Sequence, residues 1–419
     1  MKVTKIISAI GNNDSIFPLL IRDCGVENPV KCALTYRQNK DDKFIRKQAT
    51  REKAIDEYGA SAIWLGGIPL ISKIYDKFID LKGFNSKISY KLFKEENAQG
   101  LKKNIEKFKD LAPSEVQELI KVEKNKKAFK NLQIGKLLAT TIIPIALMGF
   151  ILPKANYALT KRKIKEEKRK EDIKTTLKTP NIEEFKANSS KNLSFKGSAP
   201  AFDILNISDI QKMMITDVGL GAGRVSTERS KRAKLEKFIG AIGAFALNYL
   251  TPKKIDKGLN SLTQKIFKID SSLDPNILSN EEFKNSIKSN SLKLPEKLDS
   301  ESLLDFIDQN PKETFTKIAQ EQKIVSFLKT GLRDPRKYVE MEKLKELNEN
   351  LDTFSKNALQ SGNIDGYFKK ALSAKTFNIF ANIGLSSFLL AYALPKALFI
   401  FRNLTQKDKL DPRIKSQID

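Results

Sequence analysis

Four stretches of this chain carry no charged residue, and polar segments separate them. They cover residues 58–72, 137–153, 238–252 and 376–395. The last is long enough to cross a bilayer as a helix, and the second nearly so. The other two are about fifteen residues long, a length that fits a buried core helix, a re-entrant segment or a short tilted span.

The two halves of the chain can be laid over each other. Leu152-Pro153-Lys154-Ala155 closes the second stretch, and Leu394-Pro395-Lys396-Ala397 closes the fourth. Earlier in each half, Ile21-Arg22-Asp23-Cys24-Gly25 is similar to Ile215-Thr216-Asp217-Val218-Gly219. The correspondence predicts a tandem duplication of a unit with two apolar helices. The shared tetrapeptide is expected where each long helix leaves its apolar surroundings.

The duplication divides the chain into three parts. The first unit covers residues 1–170, a flexible linker covers 171–201, and the second unit covers 202–419. The polar loop between the two apolar helices is much longer in the second unit, which indicates an insertion near 261–334.

Both polar loops carry helix signals. Pro113 and Glu115 stand in a predicted first turn, with apolar residues following at helical spacing. Asp299 or Ser300 offers an N-cap ahead of a second run with the same spacing. No stretch alternates as paired strands do. The predicted fold is therefore all-α: a membrane-associated helical protein with helical polar loops.

Charge favours an anionic partner. Lys and Arg number 75 against 50 Asp and Glu, a formal net charge of +25. A field of that sign attracts nucleic acid or the anionic face of a membrane. The apolar stretches favour the membrane, and the absence of a recognisable nucleic-acid-binding motif disfavours nucleic acid. The expected partners are the lipid bilayer and anionic headgroups, with protein partners or self-association as further options.

The residue types present exclude much chemistry. The chain has no histidine, which removes imidazole bases and imidazole metal ligands. Cys24 and Cys32 are the only thiols, and their spacing fits no zinc or redox signature, so two ordinary thiols are expected. No catalytic residue, cofactor or metal site is predicted, and the chain is interpreted as a non-enzyme.

Aromatic and basic residues near the apolar stretches suit a membrane interface. Amphipathic rings and snorkelling lysines anchor helices at the headgroup level. The predicted interface anchors are Trp64, Lys154, Tyr157, Tyr392 and Lys396. The predicted anionic-lipid contacts are Lys161, Arg162, Lys163, Lys165, Arg229, Lys231, Arg232 and Lys234.

Two further features are interpreted as structural. Asp23 and Asp217 recur in both halves, and an N-cap or turn acceptor explains them without a ligand. Residues 219–223 are rich in glycine but lack the lysine pattern of a phosphate loop, and are interpreted as a mobile turn before a basic helix. Because no charge lies inside the four stretches, an ion-coupled transporter is disfavoured.

Lys and Arg flanking the apolar stretches are more numerous on the side of the termini. The positive-inside rule then places both termini in the cytoplasm of a cell with a bacterial-type inner membrane. The predicted function is a non-enzymatic integral membrane protein acting as a scaffold or membrane organiser. The alternatives are a transporter or interfacial lipid-handling protein, and a soluble basic helical bundle that binds nucleic acid.

Overall fold

The chain is helical throughout the part that the structure describes. The structure is a computed structural model, and it describes residues 2–11, 20–40, 43–93, 98–175, 209–228 and 231–406. Within these ranges the only β-type pairing is an isolated bridge between Phe327 and Arg333. The all-α prediction is confirmed.

The described ranges contain fifteen α-helical elements, four of which carry a π-helical turn. In chain order they are α1 Lys2–Gly11, α2 21–38, α3 43–81, α4 Leu101–Phe108, α5 Pro113–Lys124, α6 126–175, α7 Asp209–Thr227, α8 Lys231–Tyr249, α9 Thr251–Phe267, α10 Pro275–Leu278, α11 Glu281–Lys288, α12 Ser300–Gln309, α13 Thr314–Glu321, α14 Met341–Gln360 and α15 364–406. A short 3-10 helix, Tyr90–Phe93, precedes α4.

Two helices are long and apolar enough to cross a membrane. They are Lys126–Glu167, within α6, and Ile364–Arg402, within α15. Only 17% and 22% of their most apolar windows are buried inside the protein. The core helix of a soluble bundle is mostly buried instead, so these two helices present apolar side chains to the outside.

The two shorter apolar stretches do not turn back on themselves. Residues 58–72 lie inside α3, which continues through them to residue 81. Residues 238–252 lie in α8 and α9, which are separated only by Leu250, and Leu250 keeps right-handed helical backbone angles. The re-entrant alternative is therefore wrong for 58–72, where Gly66 and Gly67 stay within the helix.

A proline follows each π-helical turn of the described chain at the second residue. Proline cannot donate to the carbonyl four residues back and collides with it, and a widened turn relieves the collision. The π turns are Ile21–Glu27, Ile63–Gly67, Ala146–Ile151 and Leu389–Ala393, and the prolines are Pro29, Pro69, Pro153 and Pro395. The Leu-Pro-Lys-Ala tetrapeptide therefore does not end the long helices, which run on to residues 175 and 406.

Helices of each half of the chain pack against helices of the other half. Helix α2 packs against α3 of its own half and also against α15 of the second half. Helix α7 packs against α8 and also against α6 of the first half. Helices of both halves thus alternate around a common centre.

Glycines make the contact of α7 with α6 possible. A Cβ atom placed on Gly223 would lie 3.0 Å from the Cα atom of Gly149, and one placed on Gly219 would lie 2.5 Å from Ile145. Residues 219–223 belong to α7, so the predicted mobile turn is wrong. The glycines serve close packing of two helices.

The polar loops fold together into a head at one end of the bundle. Helices α4 and α5 come from the first loop, and α10 to α14 come from the second. Arg333 of the second loop is 1% exposed. Its guanidinium donates to both carboxylate oxygens of Asp308, at 2.9 and 3.1 Å. The same guanidinium lies over the ring of Phe108, which belongs to the first loop. The helices predicted from Pro113 and Asp299 are confirmed, and Asp299 caps α12 by accepting from the Ser302 amide.

The opposite end of the bundle carries the basic extensions of α6 and α15, and is called the tail side below. The helix α6 reaches Thr175, so the first residues of the predicted linker are helical. The remainder of the linker, residues 176–201, lies outside the described residues.

Candidate solute site

A cavity of about 320 Å³ lies at the centre, between helices of both halves. Helices α2 and α3 of the first half and α7, α8 and α15 of the second line it, and Met148 of α6 contributes one further side chain. Such a volume is at the small end of ligand pockets. Its charged lining residues are Arg22, Asp23, Glu27, Lys31, Lys53, Glu57, Asp217, Arg224, Glu228, Glu236, Lys237 and Arg402.

The wall from the first half is a chain of alternating charges, here called the charge ladder. It consists of Asp23, Arg22, Glu27, Lys31, Glu57 and Lys53. The N–O distances between successive members, in that order, are 3.5, 3.0, 3.1, 3.4 and 2.7 Å. Each side chain is at most 20% exposed. Buried charges are tolerated when they are paired in this way.

The wall from the second half is paired less completely. The Tyr249 hydroxyl donates to Asp217 at 2.5 Å, and Arg402 forms a two-point ion pair with Glu236. Among the described residues, the Arg224 guanidinium donates to the backbone carbonyl of Asp56, at 3.4 Å, and to no side chain. Among the described residues, neither Arg224 nor Lys237 has a carboxylate within 4.0 Å. This wall therefore holds charge that side chains do not fully neutralise.

Helix register gives the depth of the charges. Leu152 lies against Gly59, and Tyr75 lies against Gly135, so the apolar stretches of α3 and α6 run side by side. Asn28 donates to Ser61 at 3.0 Å, which sets α2 along the same region. Asp23 precedes Asn28 by five residues on α2. It therefore lies about 7 Å deeper, toward the middle of the apolar region.

Asp217 reaches the same depth from the other half. Its neighbour Gly219 lies against Ile145, which is in the middle of the apolar stretch 137–153. Lys237 and Arg402 lie nearer the tail side, beyond the ends of the apolar stretches. The lining of the cavity thus extends from the tail side to carboxylates half-way along the apolar helices.

Burial and neighbouring charges shift the pKa values of two groups in the tail-side part of the cavity. Burial, with the like charges of Arg224 and Lys53, lowers the pKa of Lys237 to about 8. Burial opposes ionisation of Glu57 as well, but the ammonium groups of Lys31 and Lys53 prevail and hold the pKa of Glu57 well below its usual range. Glu57 is therefore anionic at neutral pH, and Lys237 is a cation that a small environmental change can neutralise.

The predicted anchors take several positions. Trp64 is half-buried and lines the cavity. Lys154, Lys396 and Tyr392 are exposed, and Tyr157 is partly buried. The predicted lipid contacts Lys161, Arg162, Lys163, Lys165, Lys231, Arg232 and Lys234 are exposed on the tail side, and Arg229 lies outside the described residues. Their roles as anchors and lipid contacts stay predictions.

Sequence reasoning found part of this site. The recurrence of Asp23 and Asp217 was noticed, but the interpretation of both as an N-cap or turn acceptor is wrong, because both lie within helices and line one cavity. Their partners Arg22, Glu27 and Lys31 were missed, since they lie in a helix without an apolar stretch. The four stretches themselves are free of charge, but neighbouring helices place charges at the same depth.

The cavity is not an assembled metal centre. Within the described ranges, no three His, Cys, Asp or Glu side chains are grouped as metal ligands would be. Cys24 and Cys32 are free thiols. No protein-family model, curated protein or solved structure matches this chain.

Proposed function

We propose that this chain is an integral membrane protein that binds a small polar solute in the central cavity and carries it across the bilayer. The observation that supports it best is the charge ladder, which lies among apolar helices at the meeting of the two halves. Charges at such depth are costly and by default indicate function.

An outward-facing apolar belt supports the membrane part of the proposal. Large apolar patches are rare on the surface of soluble proteins. The belt consists of Leu70, Ile74, Phe78, Leu138, Ile142, Ile143, Ile151, Phe238, Ile242, Leu250, Phe377, Phe380, Leu385, Phe388 and Tyr392.

The height of the belt suits a bilayer. Lys136 and Lys154 bound the apolar part of α6 and are about 27 Å apart along the helix axis. Lys375 and Lys396 bound the apolar part of α15 at a separation of about 32 Å. Both values are close to the hydrocarbon thickness of about 30 Å.

The internal arrangement supports duplication of a two-helix unit. In both halves a π turn precedes the Leu-Pro-Lys-Ala tetrapeptide, and in both a short helix packs onto the long helix of the other half. Solute sites of membrane carriers commonly lie where two repeats meet near the bilayer midplane. The lining of the cavity extends to the tail side, and the positive-inside rule favours the cytoplasm for that side.

Flux through reconstituted protein tests the carrier proposal. Liposomes containing the full chain take up at least one of radiolabelled L-alanine, L-glutamate and inorganic phosphate faster than protein-free liposomes. Asp23→Asn combined with Asp217→Asn lowers that uptake at least ten-fold, whereas Asp365→Asn, at an exposed carboxylate of the head, leaves it unchanged. Wild-type uptake equal to that of empty liposomes contradicts the proposal, and so does an unaffected double variant.

The scaffold prediction does not require the cavity. A membrane organiser would need the exposed basic residues of the tail side but no buried charges, so that function stays a prediction beside this proposal. The soluble, nucleic-acid-binding alternative is supported less, because it leaves the apolar belt exposed to water.

A further inference from the structure

Polar groups left without a counterpart divide the cavity into two ends. At the deep end, half-way along the apolar helices, lie hydrogen-bond acceptors: the carboxylates of Asp23 and Asp217, and the buried Oδ1 atom of Asn248, to which no described residue donates. Toward the tail side stand two cations without a bonded carboxylate, Arg224 and Lys237. The two ends are complementary to opposite charges.

Arg22 does not neutralise the acceptor end. Among the described residues, Arg22 is the cation that pairs with Asp23, and it is shared with Glu27. Asp217 receives one hydrogen bond, from Tyr249, and has no cation within 4.0 Å among the described residues. An ammonium group bound there would donate hydrogen bonds to Asp217 and to Asn248 Oδ1. A buried acceptor without a donor costs desolvation free energy, and the bound ammonium would remove that cost.

The donor end is not neutralised either. Arg224 and Lys237 come from neighbouring helices, and Lys53, which adds to their field, is itself paired with Glu57. Glu228 faces the same space and offsets part of the charge. One anionic group is therefore enough to satisfy this end.

The geometry points to a small zwitterion as the occupant: we propose that its ammonium group binds Asp217 and Asn248 while its carboxylate or phosphate binds Arg224 and Lys237. Asp217 and Arg224 lie seven residues apart on α7, and about 10 Å separates their Cα atoms. Two side chains with one small molecule between them fill that distance. This inference rests on the proposed function and names its substrate class.

The same chemistry is offered by a free amino acid and by a phosphatidylethanolamine headgroup. Both carry a primary ammonium and one anionic group. The two sources are distinguished by the lipid used in the binding measurement, with phosphatidylcholine as the lipid that lacks a primary ammonium.

Trp64 is the only tryptophan of the chain and lines the cavity, so its fluorescence reports binding. The full chain in phosphatidylcholine nanodiscs is titrated with L-alanine, propionate and ethylamine, of which the last two each lack one charge of the first. L-Alanine is expected to bind at least ten-fold more tightly than either. If instead phosphatidylethanolamine nanodiscs give the signal and L-alanine does not, the headgroup is the occupant and the same chemistry is supported.

Variants separate the two ends. Asp217→Asn weakens L-alanine and ethylamine binding about ten-fold but spares propionate, and Lys237→Gln weakens L-alanine and propionate but spares ethylamine. Lys234→Gln, at an exposed position on the same helix as Lys237, changes none of them. A loss of all three ligands together with a lowered thermal midpoint indicates misfolding, and Asn248→Asp, expected to strengthen ethylamine binding, then provides the second test.

Two results overturn the inference. Propionate binding as tightly as L-alanine shows an anion site alone, while the carrier proposal stands. The absence of binding in every lipid also overturns it, and the flux measurement then judges the carrier proposal separately.

Discussion

Single residues show how an apolar bundle tolerates charge. The charge ladder alternates sign at each step, so every buried carboxylate of the series has an ammonium or guanidinium neighbour. The recurring aspartates could be found from sequence, but their partners could not. Which cation meets which carboxylate depends on how α2 docks on α3, and hydrophobic periodicity does not encode that register.

Binding of an anion to the cavity depends on pH through Lys237. Burial and the neighbours Arg224 and Lys53 lower its pKa to about 8, against the opposing charges of Glu228 and Asp56. Lys237 therefore loses its charge as pH rises through about 8, and propionate, which stays ionised, binds about ten-fold more weakly at pH 9.5 than at pH 7. In Lys237→Arg the charge persists, and the affinity stays level over this range in a Trp64 titration. A wild-type affinity that does not change with pH contradicts this assignment.

The buried pair in the head is expected to matter more than exposed pairs. Arg333→Met leaves Asp308 with only Lys107, which is itself 39% exposed, as its remaining cation. The expected loss is about 3 kcal/mol in the free energy of unfolding. Lys356→Met, which breaks an exposed pair with Asp352, costs less than about 1 kcal/mol. Urea unfolding of the full chain in mild detergent, followed by circular dichroism, compares the two; equal losses would show that burial of Arg333 contributes nothing.

Helices are the level at which the sequence was most informative. All four uncharged stretches are helical, as are the runs after Pro113 and Asp299. The π turns were missed because a proline within an apolar helix predicts a kink without specifying its form. The glycine run 219–223 was misread because glycine weakens a helix in isolation, and its value lies in contact with a partner helix that local sequence does not reveal.

Substitution of one glycine tests the contact between α7 and α6. Gly223→Ala places a Cβ atom 3.0 Å from the Cα atom of Gly149, so the two backbones must separate. The expected cost is about 1–3 kcal/mol. Gly258→Ala is the matched control, because nothing lies within 4 Å of its Cβ position in α9, and it is expected to stabilise by about 0.5–1 kcal/mol. Thermal unfolding in detergent that ranks the two variants in the reverse order would refute the packing role of Gly223.

At the scale of the whole molecule, the exchange of helices between halves creates the site. Neither half contains the cavity alone, because α2 and α3 supply one wall and α7 and α8 the other. Sequence comparison of the halves predicted their correspondence but not their packing through each other. Helices α3, α8 and α15 each contribute residues to both the cavity lining and the apolar belt.

A pair of cysteines on α8 tests whether the cavity is hydrated while the belt lies in a bilayer. In a chain with Cys24→Ser and Cys32→Ser, Ala244→Cys faces the cavity, and Ile242→Cys lies on a side chain that is 54% exposed in the belt. A charged, membrane-impermeant thiosulfonate is applied to the tail side of the reconstituted protein. A hydrated cavity within a bilayer predicts rapid labelling of Ala244→Cys and protection of Ile242→Cys by lipid. Faster labelling of Ile242→Cys, the order its greater exposure gives in water, would contradict the account.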